Sequence, residues 1–295
     1  MNKQSIYILE DRGIIYLSGI DTFNYLQNII SNDLNKVNES QSCFSYLLTP
    51  QGKYLFEFII IKHKNGYFLD CPKYQIENLY KQLVLYKLRS KVEITNLSNE
   101  FVVAALSKEN FIEFEKNNKL GLTIKFREDP VVLDPRCIKL GARTVINLEK
   151  LYLSAKKLNL KISDIEEYYQ LSHSLGIPCS DTENFQNKIF GLETNSEELN
   201  AVDFKKGCYV GQENTARMKL KEKISRRIYP IEIIEGNIAN DDKIKINNSE
   251  IGKVVNSSKF SFGLFKFKDP NFKLDEILDT DKAKIKVKKP FWLNS

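Results

Sequence analysis

The predicted secondary structure changes at Arg227, and this change limits the possible folds more than any other feature of the sequence. Before Arg227, strands alternate with helices. The helix that follows Pro72 is predicted to turn four apolar side chains inward: Ile76, Leu79, Leu83 and Leu88. After Arg227, short strands and turns follow one another without helical periodicity. The pattern predicts an α+β region over residues 1–224 and a small β-barrel over residues 225–295.

The composition is typical of a globular chain that is long enough for two or three domains. Of the 295 residues, 42% are hydrophobic and 28% are charged. The apolar runs are far too short to cross a bilayer, so no membrane partner is expected. The N-terminus carries neither a hydrophobic signal core nor an Arg- and Ser-rich transit helix. We therefore expect the protein to act where it is made, in a bacterial-type cytoplasm.

The cysteines argue against a permanent metal centre within the chain. They are odd in number, lie far apart and include no C-x-x-C pair: Cys43, Cys71, Cys137, Cys179 and Cys208. Histidine ligands are also scarce, since His63 and His173 are the only two in the sequence. Neither a disulfide framework nor a zinc or cluster cage is predicted.

The most specific segment is residues 205–217, which read K-K-G-C-Y-V-G-Q-E-N-T-A-R. It places Cys208 between Gly207 and Gly211, which can both adopt a positive φ and so let a partner approach the backbone. Residues 205–227 hold eight basic side chains and two acidic ones, a net charge of +6 that equals the excess of the whole chain. Cys208 is thus a candidate thiolate beside an anion-attracting surface. Two alternatives stay open: a buried structural cysteine, and a basic run that is only a solvated face.

This segment resembles the signature of the YgfZ family, folate-binding proteins of iron–sulfur cluster maturation that are related to the aminomethyltransferase of glycine cleavage. The family signature is roughly K-G-C-Y-x-G-Q-E-x-x-x-R. Every fixed place in it is filled here: Lys206, Gly207, Cys208, Tyr209, Gly211, Gln212, Glu213 and Arg217. Further segments that resemble the family are residues 17–34, 49–58, 88–92, 174–178 and 199–204.

The resemblance implies a three-lobed aminomethyltransferase-like α+β fold, with two intertwined lobes before the barrel, and tetrahydrofolate or a related folate as ligand. It implies iron–sulfur carrier or assembly proteins and client [4Fe–4S] enzymes, including tRNA-modifying ones, as partners. Clusters normally take about four protein ligands, so the lone thiolate of Cys208 cannot hold one by itself. Cys208 is therefore expected to contact a cluster only transiently, together with a partner.

The resemblance also implies where a folate would bind. The two aromatic positions of the family's pterin slot fall at Arg12, whose guanidinium plane can stack on a ring, and at Tyr168. Polar groups of the slot are expected from two short segments. The candidates are thus Arg12, Asn32, Asp33, Tyr168, Glu193 and Asn195. Core packing for Tyr168, and a simple helix cap and turn for Asn32 and Asp33, remain the alternatives.

Two other functions can be weighed from the residues. A folate-dependent one-carbon (aminomethyl) transferase would need a general acid or base after Gly52, where the related enzymes carry paired aspartates. Here Leu55 and Phe56 are apolar and Glu57 is only an offset substitute, with Asp33 as the other carboxylate. An RNA-associated module could use the basic residues of 205–227, but aromatic side chains are sparse there, so direct nucleic-acid binding is not expected.

Overall fold

The computed structural model describes residues 1–221, 224–246 and 248–293. The strands in these residues are β1 (Ser5–Leu9), β2 (Arg12–Ser18), β3 (Cys43–Leu48), β4 (Tyr54–His63), β5 (Gly66–Pro72), β6 (Glu93–Asn96), β7 (Val102–Leu106), β8 (Thr123–Phe126), β9 (Asp129–Leu133), β10 (Ala142–Ile146), β11 (Lys161–Ser163), β12 (Arg227–Gly236), β13 (Lys243–Ile246), β14 (Ser249–Asn256), β15 (Phe262–Phe265), β16 (Ile277–Asp279) and β17 (Ala283–Val287). The α-helices are α1 (Thr22–Ile29), α2 (Ile76–Lys87), α3 (Lys108–Phe114), α4 (Leu148–Lys157), α5 (Ile165–Ser174) and α6 (Gln212–Leu220). None of these helices is long and apolar enough to cross a membrane.

The first sheet is antiparallel, with the strand order β3-β4-β5-β2-β6. Helices α1 and α2 cover one of its faces, where Leu26 and Leu79 join Ile15 and Leu69 in a buried cluster. The other face also meets protein, so every residue of β3 and β5 is buried. The sequences of these strands are therefore nearly continuous apolar runs. They lack the alternation of apolar and polar residues that is found in a sheet with one solvent-exposed face.

The second sheet has the order β11-β1-β7-β10-β9-β8 and is antiparallel except for the β1–β11 pair. The chain passes from the second sheet to the first within two residues, between β1 and β2. As a result, the two sheets share a central core that contains Tyr7 and Val103 from one sheet and Ile14 and Phe68 from the other.

The C-terminal strands form an antiparallel sheet, β13-β14-β15-β12-β17-β16, that curls into a nearly closed barrel around its own apolar core. The small all-β barrel predicted after Arg227 is confirmed. Phe262 and Leu264 of β15 also reach the central core, so the barrel packs against the two larger sheets. The domain boundary between residues 224 and 225 stays a prediction.

One side chain predicted to lie on the buried face of α2 is exposed. Ile76, Leu79 and Leu83 are buried as predicted, but Leu88 is 87% exposed. Helix α2 ends at Lys87, and Leu88 adopts a φ of 48°. This turn rotates its side chain away from the helical stripe, so the helical spacing no longer applies.

Candidate functional site around Cys208

Cys208 differs from every other cysteine of the chain in its accessibility. It is exposed, whereas Cys43, Cys71, Cys137 and Cys179 are all buried thiols. The predicted accessibility of Cys208 is thus confirmed, and the alternative of a buried structural cysteine is wrong. Among the described residues, no group of three or more His, Cys, Asp or Glu side chains is placed to hold a metal ion.

Lys206 anchors the loop that carries Cys208. Its ammonium group donates hydrogen bonds to the carbonyl oxygens of Gln27 (2.7 Å), Ile30 (2.6 Å) and Asn32 (2.8 Å). These carbonyls lie at and just beyond the C-terminal end of α1, where backbone acceptors have no partner within the helix. A cation at this position also interacts favourably with the helix dipole. Lys206 is only 7% exposed, so this signature residue is a structural anchor and is not part of a charged surface.

The residues after Cys208 are held to the same helix. The backbone N–H of Val210 donates to the carbonyl of Asn28 (3.2 Å), and the ring of Tyr209 lies 5.0 Å from the Lys206 ammonium. Tyr209 is buried, and this burial raises the pKa of its hydroxyl to about 12. Cys208 is therefore presented on a loop that is fixed to α1 on both of its sides.

The two signature glycines do different things. Gly211 adopts a φ of +86°, and a Cβ at this position would lie 2.5 Å from the carbonyl oxygen of Thr49, so the fold requires a glycine there. Gly207, which could also adopt a positive φ, does not do so in this structure. A Cβ at Gly207 would meet no atom within 4 Å, so the space beside Cys208 is open.

The last signature residues belong to α6, which packs on the turn between β3 and β4. The side chain of Asn214 donates to the carbonyl of Gln51 (3.1 Å), and Arg217 in turn donates to the Asn214 side chain (2.6 Å). Glu213 is exposed in the first turn of α6, and Gln212 is half-buried at the start of the helix. Arg217 thus supports the contact between α6 and the turn.

The anion-attracting surface predicted for residues 205–227 is largely wrong, because acidic side chains from another segment neutralise it. Three ion pairs join the basic run to residues 193–198: Lys219 with Glu197, Arg226 with Glu193, and Arg227 with Glu198. Lys206 is buried, and the exposed basic residues that remain in the described part of the run are Lys205, Arg217 and Lys221. Glu222 and Lys223 lie outside the described residues. Counting charge within one segment missed the acids that fold onto it.

Arg12 and Tyr168 do lie in one cluster, but the cluster is closed. Asp70 accepts hydrogen bonds from Arg12 (2.7 Å) and Arg143 (2.5 Å), and Arg143 also donates to the Tyr168 hydroxyl (2.8 Å). Arg12 is 6% exposed and Tyr168 is 1% exposed, so neither presents an open face to a pterin ring. The predicted aromatic slot is therefore wrong for this arrangement, and core packing is the role that the structure supports for Tyr168.

The same cluster contains Glu57, the offset carboxylate of the transferase hypothesis. Glu57 is 2% exposed, and its Oε1 lies 3.8 Å from a guanidinium nitrogen of Arg12. Burial raises the pKa of Glu57, although the neighbouring guanidinium groups oppose the shift. Its Oε1, and Nε of Arg143, have no hydrogen-bond partner among the described residues. Within the described part of the chain, both atoms are thus buried polar groups without a hydrogen bond, although ion pairs surround them.

The other folate candidates are engaged elsewhere. Asn32 donates to the carbonyls of Phe44 and Asn200 (both 2.7 Å), and Asp33 caps the short 3₁₀-helix Leu34–Lys36 by accepting from Asn35. This agrees with the alternative of a helix cap and turn for Asn32 and Asp33, except that Asp33 caps the start of the following 3₁₀-helix and not the end of α1. Both lie beside the carbonyls that bind Lys206, so they support the signature loop.

Glu193 and Asn195 hold the start of the barrel. Glu193 accepts from Arg226 (2.8 Å) and from the backbone N–H of Phe190 (3.1 Å), and Asn195 donates to the carbonyl of Ile228 (3.0 Å). Both side chains are thus engaged at the start of the barrel, and the expectation that they face a common slot with Tyr168 stays a prediction. As arranged, the six candidates do not fit a folate.

Sequence reasoning missed the partners that close the cluster. Asp134 forms a two-point ion pair with Arg136 (3.0 and 2.8 Å) and also contacts Arg143 (3.1 Å). Although burial opposes it, the guanidinium groups of Arg136 and Arg143 hold the pKa of Asp134 at about 2. The D-P-R string at 134–136 is the only local signal for this pair, and nothing in the sequence links it to Asp70.

Comparison with known proteins separates the sequence relationship from the fold. No family model matches the chain. The chain is 28% identical over 256 residues to the mitochondrial iron–sulfur cluster assembly factor IBA57 homolog of Dictyostelium discoideum. This alignment covers 78% of this chain and 62% of that protein. It is 27% identical over 274 residues to the tRNA-modifying protein YgfZ of Buchnera aphidicola, which covers 86% of this chain and 82% of that protein. The predicted resemblance to the YgfZ family is confirmed.

The fold relationship is broader than the sequence relationship. The crystal structure of the glycine cleavage system aminomethyltransferase T from Bartonella henselae superposes with a TM-score of 0.73, covering 98% of this chain and 86% of that one. Only 13% of the residues are identical, so this comparison shows the fold alone. The predicted aminomethyltransferase-like fold is confirmed. This chain spans about half to two thirds of the length of the first IBA57 relatives, 62% in Dictyostelium discoideum and 52% in Neurospora crassa.

Proposed function

We propose that this protein acts in iron–sulfur cluster assembly on client enzymes, including tRNA-modifying ones, and that Cys208 is its functional thiol. The observation that carries the proposal is the placement of the one exposed cysteine on a loop that is anchored to α1 on both sides. The relatives, an iron–sulfur cluster assembly factor and a tRNA-modifying protein, support the same role.

The chemistry of a lone thiol limits what this role can be. A cluster needs about four protein ligands, but the other four cysteines are buried. In the part of the chain that the structure describes, no group of three or more His, Cys, Asp or Glu side chains is placed to hold a metal ion. The cluster is therefore cargo that is shared with a partner. In a ligand exchange, Cys208 loses its proton as its sulfur binds iron, and the thiolate that it displaces from the carrier takes up a proton. No electron is transferred in this step.

A folate is the ligand that the resemblance implies, and we assign it no step. Its expected aromatic slot at Arg12 and Tyr168 is closed. The Arg12 guanidinium is hydrogen-bonded to Asp70, and the Tyr168 hydroxyl accepts a hydrogen bond from Arg143. Equilibrium dialysis of the purified protein against tetrahydrofolate tests this geometry. We expect no saturable binding at micromolar concentration, and saturable binding that Tyr168→Ala abolishes would show that the cluster opens.

The geometry does not favour the two alternative functions. A one-carbon transferase needs a carboxylate that reaches the substrate, but Glu57 is buried and Asp33 caps a helix. An RNA-binding module needs a continuous basic surface, and three cations of the candidate surface are paired with glutamates. The cytoplasmic location stays a prediction.

The test of the proposal is the activity of a [4Fe–4S] enzyme such as aconitase in cells whose only copy carries Cys208→Ala. We expect a several-fold loss of aconitase activity at unchanged abundance of both proteins, since an exposed side chain contributes little to folding. Cys137→Ala is the matched control, because Cys137 is a buried thiol whose charged neighbours, Asp134 and Lys139, lie outside the signature loop. It should lower thermal stability and leave aconitase activity per folded molecule intact. Full aconitase activity with Cys208→Ala would refute the proposed function.

A further inference from the structure

The helical layer that covers the first sheet carries several apolar side chains that are exposed to solvent. We call this exposed surface the α1–α2 corner, and it consists of Ile20, Phe23, Val84, Leu85 and Leu88. The exposed fractions are 84% for Ile20, 65% for Leu85 and 87% for Leu88. Single exposed apolar residues are ordinary, but several together mark an interaction surface more often than chance.

The backbone holds the two halves of this corner together. The N–H of Lys91 donates to the Asp21 carboxylate (2.7 Å), and the N–H of Asp21 donates to the carbonyl of Lys91 (3.4 Å). An open groove of about 590 Å³ lies between the two segments and is lined by Asp21, Leu88, Arg89 and Ser90. Ile20 adjoins Asp21, so apolar side chains flank the groove from both segments.

Leu88 is presented outward at a conformational cost. Its φ of 48° and ψ of −115° lie in a region that L-residues with a branched side chain rarely adopt. The turn is held by a hydrogen bond from Ser90 N–H to the Lys87 carbonyl (2.9 Å). Glycine, and to a lesser extent asparagine, suits this turn position with a positive φ, and neither would expose an apolar group. A strained, exposed leucine is better explained by a contact outside the chain than by folding.

The charge around the corner indicates what kind of surface it meets. Residues 78–92 contain four cations and no carboxylate: Lys81, Lys87, Arg89 and Lys91. Acids near them include Asp21, which lines the groove, and the exposed Glu93. None of the four cations forms an ion pair with a carboxylate of the described residues. A complementary surface is apolar at its centre and carries Asp and Glu at its rim.

The corner and the Cys208 loop lie at the two ends of one short helix. Helix α1 runs from Thr22 to Ile29, which at 1.5 Å per residue is about 12 Å. Phe23 is at the corner end and is partly exposed, and at the other end Asn28 accepts the hydrogen bond from Val210. A partner protein of ordinary interface size covers this distance easily, since such interfaces bury about 800 Å² on each side.

We propose that the α1–α2 corner is the docking surface for the partner protein that exchanges a cluster at Cys208, and that this partner presents an apolar surface with a carboxylate rim. The inference rests on the proposed function and adds the place and the chemistry of docking. It commits to a different protein as occupant, because the cations of the corner outnumber Asp21 and Glu93, and two copies would bring like charge together.

The test compares three single variants in cells that carry only the variant copy. Leu88→Asn removes the apolar group and suits the positive φ, and Arg89→Glu reverses one rim charge. Leu153→Asn is the matched control, because Leu153 is 63% exposed on α4 in the second sheet's layer. We expect aconitase activity to fall at least threefold with Leu88→Asn and with Arg89→Glu, and to stay unchanged with Leu153→Asn. Purified Leu88→Asn should melt no lower than the parent protein.

The outcomes separate this inference from the proposed function. Unchanged aconitase activity with Leu88→Asn and Arg89→Glu, together with a loss in Cys208→Ala, would overturn the docking surface and leave the function standing. Unchanged aconitase activity in Leu88→Asn, Arg89→Glu and Cys208→Ala alike would overturn both the docking surface and the proposed function. A parent protein that light scattering shows to be a dimer, and that Leu88→Asn converts to a monomer, would overturn the choice of occupant in favour of a second copy.

Discussion

The anchoring of the Cys208 loop by Lys206 can be tested by replacing the ammonium group with an apolar one of similar length, in Lys206→Met. Each of the three hydrogen bonds from Lys206 has a charged donor, and such bonds contribute about 1.5–3 kcal/mol each. Their sum overstates the loss, since contributions within one network are not additive and some carbonyls regain water. We expect the free energy of unfolding to fall by about 3 kcal/mol, the level typical of a broken buried network.

The assay is equilibrium urea unfolding at pH 7, with Lys205→Met as the matched control. Lys205 is the preceding residue and is exposed, so its replacement should change the free energy of unfolding by less than about 0.5 kcal/mol. A second measurement is the rate at which Cys208 reacts with a thiol reagent, which should rise in Lys206→Met because the loop is no longer held to α1. A Lys206→Met protein as stable as Lys205→Met would refute the anchoring role, whatever its activity in cells.

The remaining predictions concern the signature glycines and the buried cluster. Gly207→Ala should leave the free energy of unfolding within about 0.5 kcal/mol of the parent value and lower cluster assembly in cells, because the space beside Gly207 is open within the chain and would be filled only by a partner. Gly211→Ala should instead destabilise the protein by at least about 1 kcal/mol in urea unfolding, because of its positive φ and the close Thr49 carbonyl; equal effects of the two changes on stability would contradict this distinction. Asp134 has a folded pKa of about 2, below the value of about 3.9 in an unfolded chain, so its stabilisation of about 2.5 kcal/mol is present above pH 4 and is lost as the pH falls towards 2. Urea unfolding between pH 5 and pH 2.5 should show this loss, and Asp134→Asn, less stable than the parent at pH 5, should show a weaker dependence over the same range.

Local chemistry explains which parts of the site could be predicted from the sequence. The exposure of Cys208 and the positive φ of Gly211 follow from a short segment whose residue types suit a turn before a helix. The buried face of α2 up to Leu83 follows from helical spacing, and the spacing fails at Leu88, where the helix has ended. The barrel follows from a run of short strands without helical periodicity.

Contacts between distant segments could not be predicted in the same way. The acids that neutralise the basic run come from residues 193–198, and the cluster that closes around Arg12 and Tyr168 joins β2, β5, β10 and α5. An ion pair depends on where two segments of the chain meet in space, and residue spacing along the sequence carries no such information across 20 or more positions.

The sequence alone thus determined the family resemblance, the α+β region followed by a barrel, and the exposed thiol of Cys208, since each depends on neighbouring residues. Only the tertiary structure decided that Lys206 is an anchor, that the folate candidates are divided between a closed charge cluster and two loop supports, and that an apolar corner lies one helix length from Cys208. These features depend on packing between elements far apart in the chain, where burial and the pairing of charges are settled together.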